Sequence, residues 1–291
     1  MLRRAANDEE VLETGEFVEA DGVRLHYLSR GAGRPVVLLH GNAGFAQDFS
    51  RVLDALDAKE FRALSFDRPG HGLSQRPSNG DATMDAQARL LRTALRALGV
   101  REPVVVGHSW GGALALSYAV QFPEEASALV LVAPAVFPEE EMYATRRLFV
   151  QLSVVSDLLI RASESFVRAE IRRGLARAFS PDDIPEDYLR AAEAAWSRPA
   201  RVRAFVQDEC GYNSAVGPLA SRYPEVSVPT FVLTGDSDAL VKPESHAYPL
   251  HRILRKSELA VLQAAGHMLP HTRPEAVAQA IRSAAKRSDP T

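Results

Sequence analysis

Val36-Val37-Leu38-Leu39, Val104-Val105-Val106 and Leu129-Val130-Leu131-Val132 are short, unbroken apolar runs. That pattern predicts strands covered on both faces of a parallel sheet. Ala63-Leu64-Ser65-Phe66, Thr230-Phe231-Val232-Leu233 and Leu259-Ala260-Val261-Leu262 read as further strands of the same kind. Between them the period changes. Phe49, Val52, Leu53 and Leu56 recur at helical spacing, as do Ala88, Leu91, Leu95 and Leu98. A last amphipathic helix follows Pro274, with Val277 and Ile281 on one face. Residues 17–30 hold two short strands around Asp21-Gly22, a hairpin signal. Strand and helix in alternation predict an α/β fold, a mostly parallel doubly wound sheet with right-handed crossovers.

Residues 136–216 break the alternation. Helix-like stretches fall around Met142–Leu152, Val154–Phe179 and Asp187–Trp196, and no buried-strand run occurs among them. Because sheet strands flank the segment, it is an insertion. Its apolar residues, Leu148, Phe149, Leu152, Val155 and Leu158–Ile160 among them, stand on several helix faces and must be covered. The expectation is a helical cap over the C-terminal edge of the sheet; the alternative is a helical elaboration that only packs. The organisation is then a polar leader at 1–16, a core at 17–135 and 217–291, and a cap at 136–216.

Composition adds exclusions. The chain of 291 residues is 46% hydrophobic and 24% charged, values of an ordinary globular protein. A net charge of -3 gives no electrostatic case for nucleic acid or an anionic membrane as partner. Cys210 is the one cysteine, so there is no internal disulfide, which fits a reducing compartment. Two N-terminal arginines are followed by acids rather than an apolar stretch, unlike a signal peptide. No run approaches the ~20 apolar residues of a membrane helix. The expected location is cytoplasmic; the oligomeric state is left open.

Candidate chemistry gathers in loops that follow strands. Gly107-His108-Ser109-Trp110-Gly111-Gly112 lies between the Val104–Val106 strand and a helix-like run, Ala113–Val120. This is G-x-S-x-G in the strand–turn–helix setting its mechanism requires. In so tight a turn, side chains at 107 and 111 would collide, hence the glycines. Ser109 is thereby a candidate nucleophile at a helix N-terminus, where backbone N–H groups and the dipole favour a developing anion. Leu38-Leu39-His40-Gly41-Asn42-Ala43-Gly44 ends the first buried strand in small residues. The expected oxyanion hole is the backbone N–H of Asn42 with that of Trp110. No phosphate-loop pattern is present. Thr234-Gly235-Asp236-Ser237-Asp238 and Ala264-Ala265-Gly266-His267-Met268 end two late strands. They leave the same sheet edge as Ser109, so an acid, a base and a nucleophile can converge. Of eight histidines only His267 follows a late strand in a Gly-bounded loop; His246, His251 and His271 read as surface or helix positions. No ligand cluster implies a metal, and no cofactor is implied.

These pieces, together with Asp67-Arg68-Pro69-Gly70-His71-Gly72-Leu73-Ser74, resemble the α/β-hydrolase superfamily, in its capped esterase and epoxide-hydrolase-like branch. The resemblance runs from about residue 17 to 285 and is only architectural in the cap. It implies that the acid is the last residue of G-x-x-D, Asp238 rather than Asp236, and that Asp67 braces a loop. Epoxide hydrolases and dehalogenases of this superfamily carry Asp where Ser109 stands. Serine cannot form their alkyl-ester intermediate, so both activities are disfavoured. Asn42 and Trp110 look like the halide-holding pair of haloalkane dehalogenases, and Trp110 also follows the nucleophile in proline-iminopeptidase-like relatives; we read it as an aromatic pocket wall. The implied activity is serine hydrolysis of a small to medium ester or lactone through an acyl-enzyme on Ser109, Asp238 and His267. Apolar cap residues such as Phe149, Leu152 and Leu159 would line the pocket for this small-molecule substrate. Carbon–carbon hydrolysis, cofactor-free perhydrolysis and iminopeptidase-type amide cleavage use the same triad. A ligand-sensing relative with little turnover is the reading from another class.

Overall fold

The computed structural model describes residues 15–139, 164–196 and 198–288. The leader as far as residue 14 and the cap residues Phe149, Leu152 and Leu159 lie outside the described residues. The strands are β1 (Glu16–Ala20), β2 (Val23–Arg30), β3 (Arg34–Leu39), β4 (Phe61–Phe66), β5 (Val104–His108), β6 (Ala128–Val132), β7 (Thr230–Gly235) and β8 (Ser257–Leu262). They form one sheet in the order β1-β2-β4-β3-β5-β6-β7-β8. The β1–β2 and β2–β4 pairs are antiparallel and every later pair is parallel. The hairpin turns where expected, at Asp21 and Gly22, both with positive φ.

Side chains alternate between the two faces of a strand, and each face carries its own core. Val37, Leu39, Val105, Leu129 and Leu131 pack on one side beneath α2 (Met84–Ala97) and α3 (Trp110–Gln121). Val36, Leu38, Val104, Val106, Val130 and Val132 pack on the other, beneath α1 (Ser50–Ala55) and the C-terminal helix Pro274–Arg287. Each fully buried Val or Leu contributes about 1.5–3 kcal/mol. That double coverage is why β5 and β6 are apolar without interruption. The β8 strand differs from expectation. Read as buried, it is the outermost strand of the sheet, with Glu258, Ala260 and Val261 exposed. An edge strand has one neighbour and partial cover, so apolar content alone did not distinguish it from a central strand.

Between β6 and β7 the chain leaves the sheet for the insertion. Its described helices are α4 (Glu164–Phe179), α5 (Glu186–Trp196) and α6 (Pro199–Ala220). The last runs beyond the boundary expected at 216, carrying Pro218 within it. Phe179, Tyr188 and Ala192 of these helices bury themselves against Phe45 and Met268 of the core. Among the described residues no helix is long and apolar enough to cross a membrane.

Candidate active site

Three loops at the carboxyl ends of parallel strands carry the candidate residues. From Pro103 to Val120 every residue is buried except Ser109. Ser109 adopts φ 54 and ψ -122 as the N-cap of α3. A positive φ on a serine costs about 1–3 kcal/mol and persists only where surrounding bonds impose it. Here Ser109 N–H donates to the Val132 carbonyl (3.0 Å), while the N–H groups of Gly112 (2.8 Å) and Ala135 (3.1 Å) donate to the Ser109 carbonyl. The glycines are required, for reasons that differ in part from the expectation. A Cβ on Gly107 would stand 2.2 Å from the Gly111 carbonyl oxygen, so that turn does close on itself. A Cβ on Gly111 would instead strike the Leu39 carbonyl of the neighbouring strand at 2.3 Å.

His267 and Asp238 meet. The imidazole Nδ1 lies 2.7 Å from Asp238 Oδ2. The other carboxylate oxygen accepts from the N–H groups of Leu240 and Val241, both at 2.9 Å. Burial alone would raise the Asp238 pKa, but His267 and the two N–H groups outweigh it and hold the carboxyl below its usual range. An ionised carboxylate only accepts, so Nδ1 of His267 donates the proton of this bond. Asp236, by contrast, is exposed and accepts only from the adjacent Ser237 hydroxyl (2.9 Å). The His267 loop is also tied to the cap: His267 and Met268 both donate N–H to the Ala178 carbonyl at 3.1 Å. His108 Nε2 donates to the His267 carbonyl at 3.0 Å. Burial depresses the His108 pKa to about 3, so it is neutral.

Asp67 braces its loop as read from the sequence. Its carboxylate accepts from Ala46 N–H (2.6 Å), Leu73 N–H (2.8 Å) and His26 Nδ1 (2.7 Å). The Asn42 and Trp110 side chains are both engaged. Asn42 Nδ2 donates to the Phe205 carbonyl (3.3 Å) and Glu209 Oε1 (2.5 Å) of α6. Its amide is turned to the cap helix. The buried Trp110 ring carries the Arg68 guanidinium 4.0 Å above its centre. Among the described residues, neither the Asn42 nor the Trp110 backbone N–H meets a protein acceptor. A cleft of about 490 Å³ runs between α6 and the Arg76–Asp85 stretch, with Trp110 in its wall; Ser109 and His267 do not line it.

Two of the histidines read as surface or helix positions are buried. His246, read as a surface or helix position, is buried, and its Nδ1 accepts from the N–H groups of Val136 (3.1 Å) and Phe137 (3.2 Å) where the insertion begins. His271 does lie in a short helix, Leu269–Thr272, but is buried against the Tyr188 ring, 4.4 Å between centroids. The reading also missed a buried ionic cluster. Asp208 of α6 accepts from Arg68 Nη1 (2.6 Å), Arg76 Nη1 (2.9 Å) and His71 Nε2 (3.0 Å). Burial would raise the Asp208 pKa, yet Arg68, His71 and Arg76 together bring it far below the carboxylate range. An arginine and a histidine inside a loop rich in turn formers were the available signal for Arg68 and His71. Asp208 sits in a helix with nothing local to mark it. Among the described residues, no group of three or more His, Cys, Asp or Glu is placed to hold a metal ion.

The family model described as the alpha/beta hydrolase fold matches residues 34–274. The chain belongs to the α/β-hydrolase fold family. Relatives within it include Cis-3-alkyl-4-alkyloxetan-2-one decarboxylase of Shewanella oneidensis, 27% identical over 79% of this chain and 77% of the relative. Lipase 1 of Psychrobacter immobilis is 25% identical over 88% of this chain and 79% of the relative. Among solved structures, a thermophilic esterase from Thermogutta terrifontis superposes with a TM-score of 0.79 at 26% identity, covering 94% of this chain and all of the other. Membership with lipase and esterase relatives makes this α/β-hydrolase a hydrolase.

Proposed function

We propose that the protein is a serine hydrolase of small to medium carboxylic esters or lactones, acting through an acyl-enzyme. The observation that carries this reading is the 2.7 Å bond between His267 and Asp238, in loops at the sheet edge from which Ser109 rises. In the proposed cycle Nε2 of neutral His267 takes the Ser109 Oγ proton as the oxygen attacks the ester carbonyl carbon. Asp238 keeps the ring in the Nδ1–H tautomer and stabilises the imidazolium that forms. The carbonyl oxygen, now negative, takes hydrogen bonds from the N–H groups of Asn42 and Trp110. The intermediate collapses, the C–O bond to the leaving alkoxide breaks, and the imidazolium returns its proton to that alkoxide. A water, deprotonated by the same histidine, then attacks the acyl carbon; the bond to Ser109 Oγ breaks, the imidazolium gives its proton to that oxygen, and the acid leaves.

The relatives support this choice of bond. Two carry lipase or esterase in their names; a third is named a decarboxylase of an oxetan-2-one, a four-membered cyclic ester, and so bears on the lactone class rather than on hydrolysis. The cap would close over the site and exclude water. The test is turnover of p-nitrophenyl esters from acetyl to decanoyl, with lactones and a proline naphthylamide alongside, and fluorophosphonate labelling of Ser109. Ester or lactone turnover with labelling of Ser109 is expected. Labelling without turnover of any panel member would favour a ligand-binding relative instead.

A further inference from the structure

Arg68 is the largest fully buried side chain among the described residues, with 1% of its surface exposed. A buried ion pair contributes little net stability compared with apolar residues of the same volume, so the position of this cation calls for another account. What it touches supplies one. Nη1 is held by Asp208 of α6 at 2.6 Å and by Gln87 Oε1 at 3.1 Å. Nη2 donates to the Gly41 carbonyl at 3.2 Å and to Asn42 Oδ1 at 3.3 Å. The flat face of the guanidinium lies on Trp110. The cation therefore meets both residues whose N–H groups we assign to the oxyanion hole.

The Gly41 carbonyl and the Asn42 N–H belong to one peptide unit. A trans peptide is planar and its C=O and N–H point in opposite directions, so a donor that fixes the oxygen also aims the N–H. The Gly41 oxygen has a second donor in His40. Nε2 of His40 accepts from the Arg68 N–H (2.9 Å), which leaves the proton on Nδ1, 2.7 Å from the Gly41 oxygen. Burial and the nearby Arg68 keep this imidazole neutral, well below the usual histidine pKa. The Gly44 N–H is a third donor at 3.3 Å. Three donors on one carbonyl, one of them charged, draw electron density from the amide and strengthen its N–H as a donor. The strand end is pressed against the nucleophile: a Cβ on Gly41 would lie 3.4 Å from Ser109 Oγ.

We propose that Arg68 is a positioning residue that presets the Asn42 N–H for the oxyanion, and that Asp208 makes the cap helix α6 part of this support. The proposal rests on the serine-hydrolase reading above. It places catalytic competence partly in the docking of α6, because Asp208 is the cap-borne carboxylate that holds the guanidinium in register. Lysine cannot replace this fork, since its single ammonium cannot hold Asp208 and the Gly41 carbonyl with the same geometry.

Arg68→Lys and Asp208→Asn are to be compared with wild type for hydrolysis of p-nitrophenyl butyrate and for inhibition by an alkyl trifluoromethyl ketone, whose adduct places an oxyanion in the hole. Loss of a whole oxyanion donor costs roughly 10²–10³ in kcat, so a misaimed donor should cost about 10–100-fold. The expected result is that fall in kcat with KM within about twofold, and a ketone Ki that rises in proportion to the loss in kcat/KM. A merely structural role would lower the fraction of active protein and leave Ki and KM unmoved. Titration of active sites by fluorophosphonate end point separates the two. Arg68→Met takes from buried Asp208 its closest cation, leaving Arg76 and His71, and is expected to fold poorly; the other two variants carry the test. Unchanged kcat and Ki in both variants would overturn the proposal. Failure of wild type to label at Ser109 or to cleave esters would instead overturn the reading beneath it.

Discussion

Asp48 is a carboxyl placed where cap and core meet, 2% exposed, accepting the Tyr188 hydroxyl of α5 at 2.9 Å. Burial pushes its pKa up to about 7, against the opposing pull of Tyr188 and a backbone N–H, with Asp67 adding to the rise and Arg68 opposing it. Its value in the unfolded chain is about 3.9. Between those values the folded chain holds a proton that the unfolded chain has released, so stability is lost as pH rises through the window. The full gap is worth about 4 kcal/mol, at 1.36 kcal/mol per tenfold change in proton affinity, and about 3 kcal/mol of it falls between pH 5 and pH 8. Asp48→Asn keeps an acceptor for Tyr188 and cannot ionise. Four buried histidines work the other way. Burial holds His40 well below the usual range and His71, His108 and His271 at about 4, 3 and 4, all neutral, so protonation of the unfolded chain weakens the fold as pH falls. They are present in both proteins and cancel in the difference. Urea unfolding of wild type and Asp48→Asn at pH 5 and pH 8 measures that difference. The stability gap should shift in favour of the variant by about 3 kcal/mol on going to pH 8. A gap that stays constant, or shifts towards wild type, would refute the claim that Asp48 is protonated in the fold near neutrality.

Asp238→Asn should lower kcat by roughly 10⁴, because an amide can stabilise the wrong histidine tautomer and cannot balance an imidazolium. Asp236→Asn should leave kcat within about threefold, since an exposed side chain bonded only to Ser237 contributes little; the reverse order in ester assays would mean the wrong carboxylate was assigned. Gly111→Ala should either fail to fold or displace the Leu39–His40 strand end, costing about 1–3 kcal/mol as overpacking does; thermal unfolding at wild-type Tm with full activity would contradict the close approach at that position.

The parts of this protein that were legible in its sequence are those set by local rules. Unbroken apolar runs marked β3, β5 and β6 because these strands are covered on both faces. The turn at Ser109 was legible because G-x-S-x-G stands between a strand and a helix; the demand on Gly107 is local, whereas that on Gly111 comes from Leu39 of the neighbouring strand. That the two loops of acid and base converge followed from which strands they end; the choice of Asp238 over Asp236 came from the resemblance. What escaped reading depends on distant partners. Nothing in the residues around Asp208 announces that Arg68, 140 positions earlier, will meet it. The burial of His246 follows from its bonds to Val136 and Phe137, which the chain reaches only through the fold. The exposed positions of β8 reflect its place at the sheet edge, and strand order is a property of the whole topology. Helix α6 was not among the helix-like stretches read from the sequence, and it runs past the boundary expected at 216 with Pro218 in its last turn.

The central claim is that Ser109 is an activated nucleophile attacking ester carbonyls. It is tested most directly by kcat/KM for p-nitrophenyl butyrate in wild type and Ser109→Ala, with fluorophosphonate labelling and the modified peptide located by mass spectrometry. The account predicts turnover and labelling at Ser109 in wild type. In the variant, labelling should be absent and kcat should fall by up to about 10⁶, with Tm changed little. Retention of more than about a tenth of wild-type activity in Ser109→Ala, or a label carried by another residue, would contradict it.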